Sequence, residues 1–149
     1  MAIRVSRILV PIDFSPHAEA VVEWAGHLAR EHGAEVVLLH AYHLPVEFQQ
    51  LEGAYLPPDF WETVKREAER SLSVYGDRLR SEGVAVAAEL VREGFPTTVI
   101  EEEEGTQNAD LIVIGSRGLS ALKHLLLGSV ARRVVQKARC PVLTVKQPA

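Results

Sequence analysis

The sequence predicts an α/β domain of the doubly wound type: one five-stranded parallel sheet with helices on both faces. Three observations predict it. Short apolar runs recur five times along the 149 residues. The segments between them have helical spacing, and the runs are continuous rather than alternating, as strands buried on both faces are. There is no composition break and no internal repeat, and the length suits one domain, residues 1–149.

Arg7–Ile12 (RILVPI) is the first strand. A helix follows, with apolar residues at Ala18, Val21, Val22, Ala25 and Leu28; Ser15 is its expected N-cap, Pro16 lies in its first turn and Gly33 stops it. Trp24 is expected in its core face. Glu35–Tyr42 (EVVLLHAY) is the second strand, and the connection back to it from the first should be right-handed. His43–Pro58 is rich in Pro, Gln and aromatic residues and reads as a surface loop. Asp59 is the expected cap of a long polar helix, Phe60–Glu82, ended by Gly83. Val84–Val91 is the third strand, the segment Phe95–Ala109 a short helix, and Asp110–Gly115 the fourth strand, with the strongest buried signature. Ser129–Ala138 is the fourth helix and Cys140–Val145 the last strand, an apolar edge that a protein must cover or pair.

Composition narrows the function. With 47% hydrophobic and 24% charged residues the chain is globular rather than disordered. A net charge of −4, with sixteen Lys and Arg interleaved among acids, excludes a basic nucleic-acid face. The single cysteine, Cys140, cannot close an internal disulfide and reads as a buried structural thiol. No run reaches the ~20 apolar residues of a membrane span, and the start of the chain lacks a signal-peptide core. The expectation is a soluble cytoplasmic protein with no membrane partner.

In a doubly wound sheet, ligands sit beyond the carboxyl ends of the strands where the strand order reverses. The loop after the fourth strand, GSRGLSALKHLLLGS, holds Gly115, Gly118, Gly128 and Ser129 in the spacing G-x2-G-x9-G-[ST]. That spacing arises by chance in only ~0.5% of chains this long. Gly115 and Gly118 allow positive φ or close approach of another group, and Gly128–Ser129 stand at a helix start, where free N–H groups and a hydroxyl suit phosphate. Arg117, Lys123 and His124 add positive charge. The Walker A and G-x-G-x-x-G patterns are absent from the sequence. Asp13 ends the first strand where acids bind ribose hydroxyls, although helix capping is its alternative role; a carboxylate beside phosphates can also recruit Mg2+.

The other candidates read as structural. His40 and His43 are three apart on a strand and so point to opposite faces, which leaves no metal set. His17, His27 and His32 read as helix-surface residues, Glu101–Glu104 as a solvated face, and Trp61 and Tyr55 as packing residues. No residue is assigned a catalytic role.

On ILVPIDFSPHAEAVVEWA, ADLIVIGSRGLSALKHLLLGSVARRVV and CPVLTV, the chain resembles the universal stress protein family, ATP-binding branch, over nearly its whole length. The resemblance implies a Rossmann-like fold of the adenine nucleotide alpha hydrolase-like kind and an ATP, ADP or AMP ligand, with Mg2+ where Asp13 recruits it. It implies that Asp13 contacts the adenosine moiety, that Pro11 and Ile12 shape its pocket, and that Ala41 and Ile114 lie by the base. Gly115 and Gly118 then flank ribose and phosphates, Ser129 and the Val130 N–H hold phosphate, and Arg117 is a further phosphate contact. It also implies a homodimer through the last strand, Val142–Val145, and a stress-response role that is regulatory. The alternatives are a slow ATP hydrolase, which needs an oriented water, a base and charge clamps, and a flavodoxin-like redox protein, for whose flavin the loops after strands one and four supply only Phe14 as aromatic cover.

Overall fold

The computed structural model describes residues 2–43, 57–117 and 127–147. Among them the elements alternate as β1 (Arg7–Pro11), α1 (Ala18–His32), β2 (Glu35–Tyr42), α2 (Phe60–Ser81) and β3 (Ala85–Glu93), then α3 (Pro96–Gln107), β4 (Leu111–Gly115), α4 (Ser129–Lys137) and β5 (Val142–Val145). The strands form one parallel sheet in the order β3-β2-β1-β4-β5. Chain order therefore runs outward from β1 to β3, then returns to the far side of β1 for β4 and β5. A flavodoxin-like order would be 2-1-3-4-5, so the redox alternative is set aside.

Side-chain alternation along each strand divides the core into two layers. Ile8, Val10, Val36, Leu38 and Val113 pack with Val21, Val22 and Ala25 of α1 and Leu72 and Leu79 of α2. Leu9, Val37, Leu39, Ile112 and Ile114 pack on the other face with Val99 and Ile100 of α3 and Val134 of α4. Burial on both faces is why these strands are continuous apolar runs, and each such side chain contributes roughly 1.5–3 kcal/mol.

Several ends differ from the sequence reading. α1 begins at Ala18, and His17 rather than Ser15 holds the N-cap position. The cause is a turn: the Asp13 Oδ1 accepts the Ser15 N–H at 3.0 Å, Phe14 takes φ +60°, and the Ser15 carbonyl accepts the Ala18 N–H at 3.0 Å. Gly33 ends α1 as expected, at φ +63°, with its own N–H and that of Ala34 both directed to the Ala29 carbonyl. Asp59 stands at the N-cap of α2, but its side chain makes no capping bond. β3 runs on to Glu93, because Ala41 and Tyr42 of β2 still find partners in Arg92 and Glu93. β5 starts only at Val142, and the Pro141 carbonyl before it accepts the Ile112 N–H. β5 and β3 are the two edges of the sheet.

Trp24 and Glu104 reverse their expected environments. Trp24 is 50% exposed, because it lies well over 90° around α1 from the face formed by Ala18, Val22, Ala25 and Ala29. Glu104 is only 7% exposed, and its Oε1 accepts the Arg139 N–H at 2.7 Å. Glu103 ion-pairs with Arg92 at 3.1 Å, so of the four glutamates only Glu101 and Glu102 are fully exposed. Among the described residues no helix is long and apolar enough to cross a membrane.

Candidate functional site

β1 and β4 pair at only two positions, Ile8–Leu111 and Leu9–Ile112, whereas β1 stays paired with β2 as far as Pro11–Leu39. The reason lies in the backbone. The Ile12 N–H bonds the Leu39 carbonyl of β2, so by alternation Pro11 turns toward β4, and proline has no N–H to extend that ladder. Beyond this point the two strands leave a crevice at their carboxyl ends. It is a cavity of about 710 Å³, within the range of small-molecule sites.

The cavity gathers residues distant in sequence. Pro11, Ile12 and Asp13 line it from the end of β1, and Ala41 from the end of β2. Ile114 and Gly115 end β4 beneath it, with Arg117 just beyond; Gly128, Ser129 and Val130 open α4 at its rim. Ten of the eleven residues singled out in the sequence thus border one space. The eleventh, Gly118, lies outside the described residues, as do Lys123, His124, Tyr55 and the 44–56 portion of the loop.

Each contributes distinct chemistry. Ile12, Ala41 and Ile114 offer apolar walls, extended by Val21 of α1 and Ile100 of α3. Asp13 does not cap the helix: one carboxylate oxygen holds the Ser15 N–H, and the other makes no hydrogen bond among the described residues. Gly115 has an ordinary φ, so its lack of a side chain serves close approach: a Cβ there would stand 3.3 Å from the Arg117 carbonyl and 3.5 Å from Val21. Gly128 is the N-cap of α4 and donates its N–H to the Ser116 carbonyl at 2.6 Å. Ser129, Val130 and Ala131 follow in the first turn, where a helix has no internal acceptors for its N–H groups.

Three histidines also border the cavity, none of them assigned to it from sequence. His40 Nδ1 is 2.7 Å from the Ile12 carbonyl, which can only accept, so Nδ1 carries the proton. Burial lowers the pKa of His40, against the raising effects of that bond and of Asp13. Its ring centroid is 4.3 Å from that of Phe14. His43 stands one residue past β2, where strand alternation no longer separates it from His40, and its ring lies 4.8 Å from Phe95. His17 is only 7% exposed, not the surface residue its helical spacing suggests. The late start of α1, invisible without the Phe14 turn, is what buries it. Among the described residues no three His, Cys, Asp or Glu side chains form a group able to hold a metal ion.

Trp61 packs beside Tyr42, with ring centroids 5.7 Å apart. Cys140 is half-buried away from the cavity, and burial, reinforced by Glu104, pushes its thiol up to about 11, far from a reactive range.

Comparison with known proteins adds to this geometry. A model of the universal stress protein family matches residues 4–146. A universal stress protein of Thermus aquaticus is 38% identical over 139 residues, spanning 93% of this chain and 97% of its own. The solved structure of the hypothetical protein MJ0577, the subject of a structure-based assignment of biochemical function, aligns with a TM-score of 0.82 at 29% identity. That alignment covers 97% of this chain and 98% of the other. A universal stress protein solved in complex with cAMP shares the fold at a TM-score of 0.70 and 24% identity, over 97% of this chain and 99% of its own.

Proposed function

This chain belongs to the universal stress protein family, and from that premise we propose that it is an ATP-binding regulatory protein of the cytoplasmic stress response, whose nucleotide occupancy alters its conformation or its partners. The observation that supports this reading is the cavity at the parting of β1 and β4. It has apolar walls toward β2 and a helix start at its opposite rim, the polarity of a nucleotide.

On this reading the adenine ring lies against Ile12, Ala41 and Ile114 with Pro11 at its edge, and Asp13 takes the adenosine hydroxyls through the carboxylate oxygen that does not hold the Ser15 N–H. Gly115 admits the ribose and phosphates closely. Ser129 and the Val130 N–H hold phosphate, helped by Arg117 and, through the motif, Gly118. Mg2+ accompanies the phosphates where Asp13 reaches it. Two copies pair through the β5 edge, Val142–Val145.

The test is to purify the protein, denature it and identify any released nucleotide, then to incubate the native protein with ATP and Mg2+ and follow ADP. Retained or titratable ATP without turnover is expected. Repeated turnover would make the protein a slow hydrolase instead, and absence of any adenine nucleotide binding at millimolar concentration would overturn the reading.

A further inference from the structure

His17 stands out among the groups around the cavity. Its side chain is more than nine-tenths buried, it borders the cavity, and its Nε2, closed to solvent, has no hydrogen-bond partner among the described residues. An unpaired buried nitrogen costs free energy unless something completes it. His17 also occupies the N-cap position of α1, so a second helix amino terminus stands on the lining of the cavity that the start of α4 borders.

Its location along the cavity identifies what completes it. The His17 Cβ lies 3.9 Å from the point a Cβ on Gly115 would occupy, at the end of β4. This is the side bordered by Gly128 and Ser129, away from the β2 side where Ala41 stands. α1 and α4 pack on opposite faces of the sheet, so their amino ends approach the end of β4 from both sides. An anion there meets two helix starts at once.

Resting on the nucleotide reading above, we infer that His17 is a ligand-contacting residue that donates a hydrogen bond from Nε2 to the phosphate chain, making the site selective for nucleotides with phosphates over the bare nucleoside. A phosphate oxygen can only accept, so the ligand selects the ring form protonated at Nε2. The motif assigns phosphate to the loop after β4 and the start of α4; His17 adds a contact from the α1 layer.

The experiment is titration calorimetry of the wild type, H17A and H17Q with ATP and, separately, adenosine, with thermal melts to verify folding. H17A should bind ATP about 10- to 100-fold more weakly while adenosine affinity stays within about twofold. H17Q, whose amide also donates, should retain most of the ATP affinity. Equal losses for ATP and adenosine would mean that His17 merely packs, and no loss for either would mean that it faces no ligand; both overturn the inference while leaving nucleotide binding intact. Should H17A fail to fold, H17M fills the volume without a donor and serves the same comparison. A wild type that binds neither compound overturns the nucleotide reading itself, a result distinct from the other two.

Discussion

Replacing Glu104 tests whether a buried carboxylate ties α3 to the edge strand β5. Its Oε1 accepts the Arg139 N–H at 2.7 Å, in the turn leading to β5, and the residue is 7% exposed. A hydrogen bond to an ionised acceptor contributes roughly 1.5–3 kcal/mol. E104A strands the Arg139 N–H, and in a chain of this size its melting point should fall by roughly 4–10 °C; E104Q keeps an acceptor and should lose about half as much. The same carboxylate is a secondary cause, after burial, of the Cys140 thiol standing at about 11 against an ordinary 9.0. Two units mean ~100-fold less thiolate at pH 8, partly offset by a ~6- to 10-fold gain in the nucleophilicity of the more basic thiolate. Iodoacetamide should therefore alkylate the folded protein roughly ten times more slowly than the urea-unfolded chain, and E104Q should narrow the gap without closing it. Equal rates in folded and unfolded wild type, or an E104A melting point within 1 °C of wild type, would refute this account.

Gly76 in α2 is pinned by Glu89: a Cβ there would stand 2.7–2.9 Å from the Glu89 carboxyl group, which Arg80 holds at 2.9 Å. Gly76→Ala should destabilise by about 1 kcal/mol in urea titrations, and in a Glu89→Ala background should instead stabilise by ~0.5–1 kcal/mol, the usual helix gain. The lowered pKa of His40 makes the unfolded chain bind its proton first on acidification. Stability is thus complete above about pH 6.5 and falls as pH drops from there toward the lower folded pKa; His40→Gln should flatten that part of a stability–pH curve. Ser129→Ala should weaken ATP binding about tenfold with an unchanged melting point, since Ser129 is exposed. Gly128→Val should abolish ATP binding by filling the rim while the far-ultraviolet dichroism stays that of a folded domain.

The fold was legible where burial is two-sided. Arg7–Ile12, Glu35–Tyr42 and Asp110–Gly115 read as strands because the sheet is covered on both faces, and each observed strand lies within one residue of those bounds. The ends of β3 were hidden because it is an edge strand, whose Arg92 and Glu93 look like loop residues yet continue the ladder. Glu103 and Glu104 were misread by composition, although each lies one helical turn after Val99 and Ile100, on the face that packs. The residues of the motif and of Asp13 were visible as a spacing and a strand end. His17 and His40 were not, because their places depend on a left-handed Phe14 and on a carbonyl from another strand, which no local periodicity encodes.

The width of the crevice is set by a single absent hydrogen. Pro11 turns its backbone toward β4 without an amide to offer, so β4 is released there while β2 remains fastened. The sheet is in effect a zipper with one tooth removed, closed below Leu9 and open above it. The opening between the strands is therefore built into the covalent chain. A ligand entering it finds two strand ends already held apart and has no sheet to unfasten.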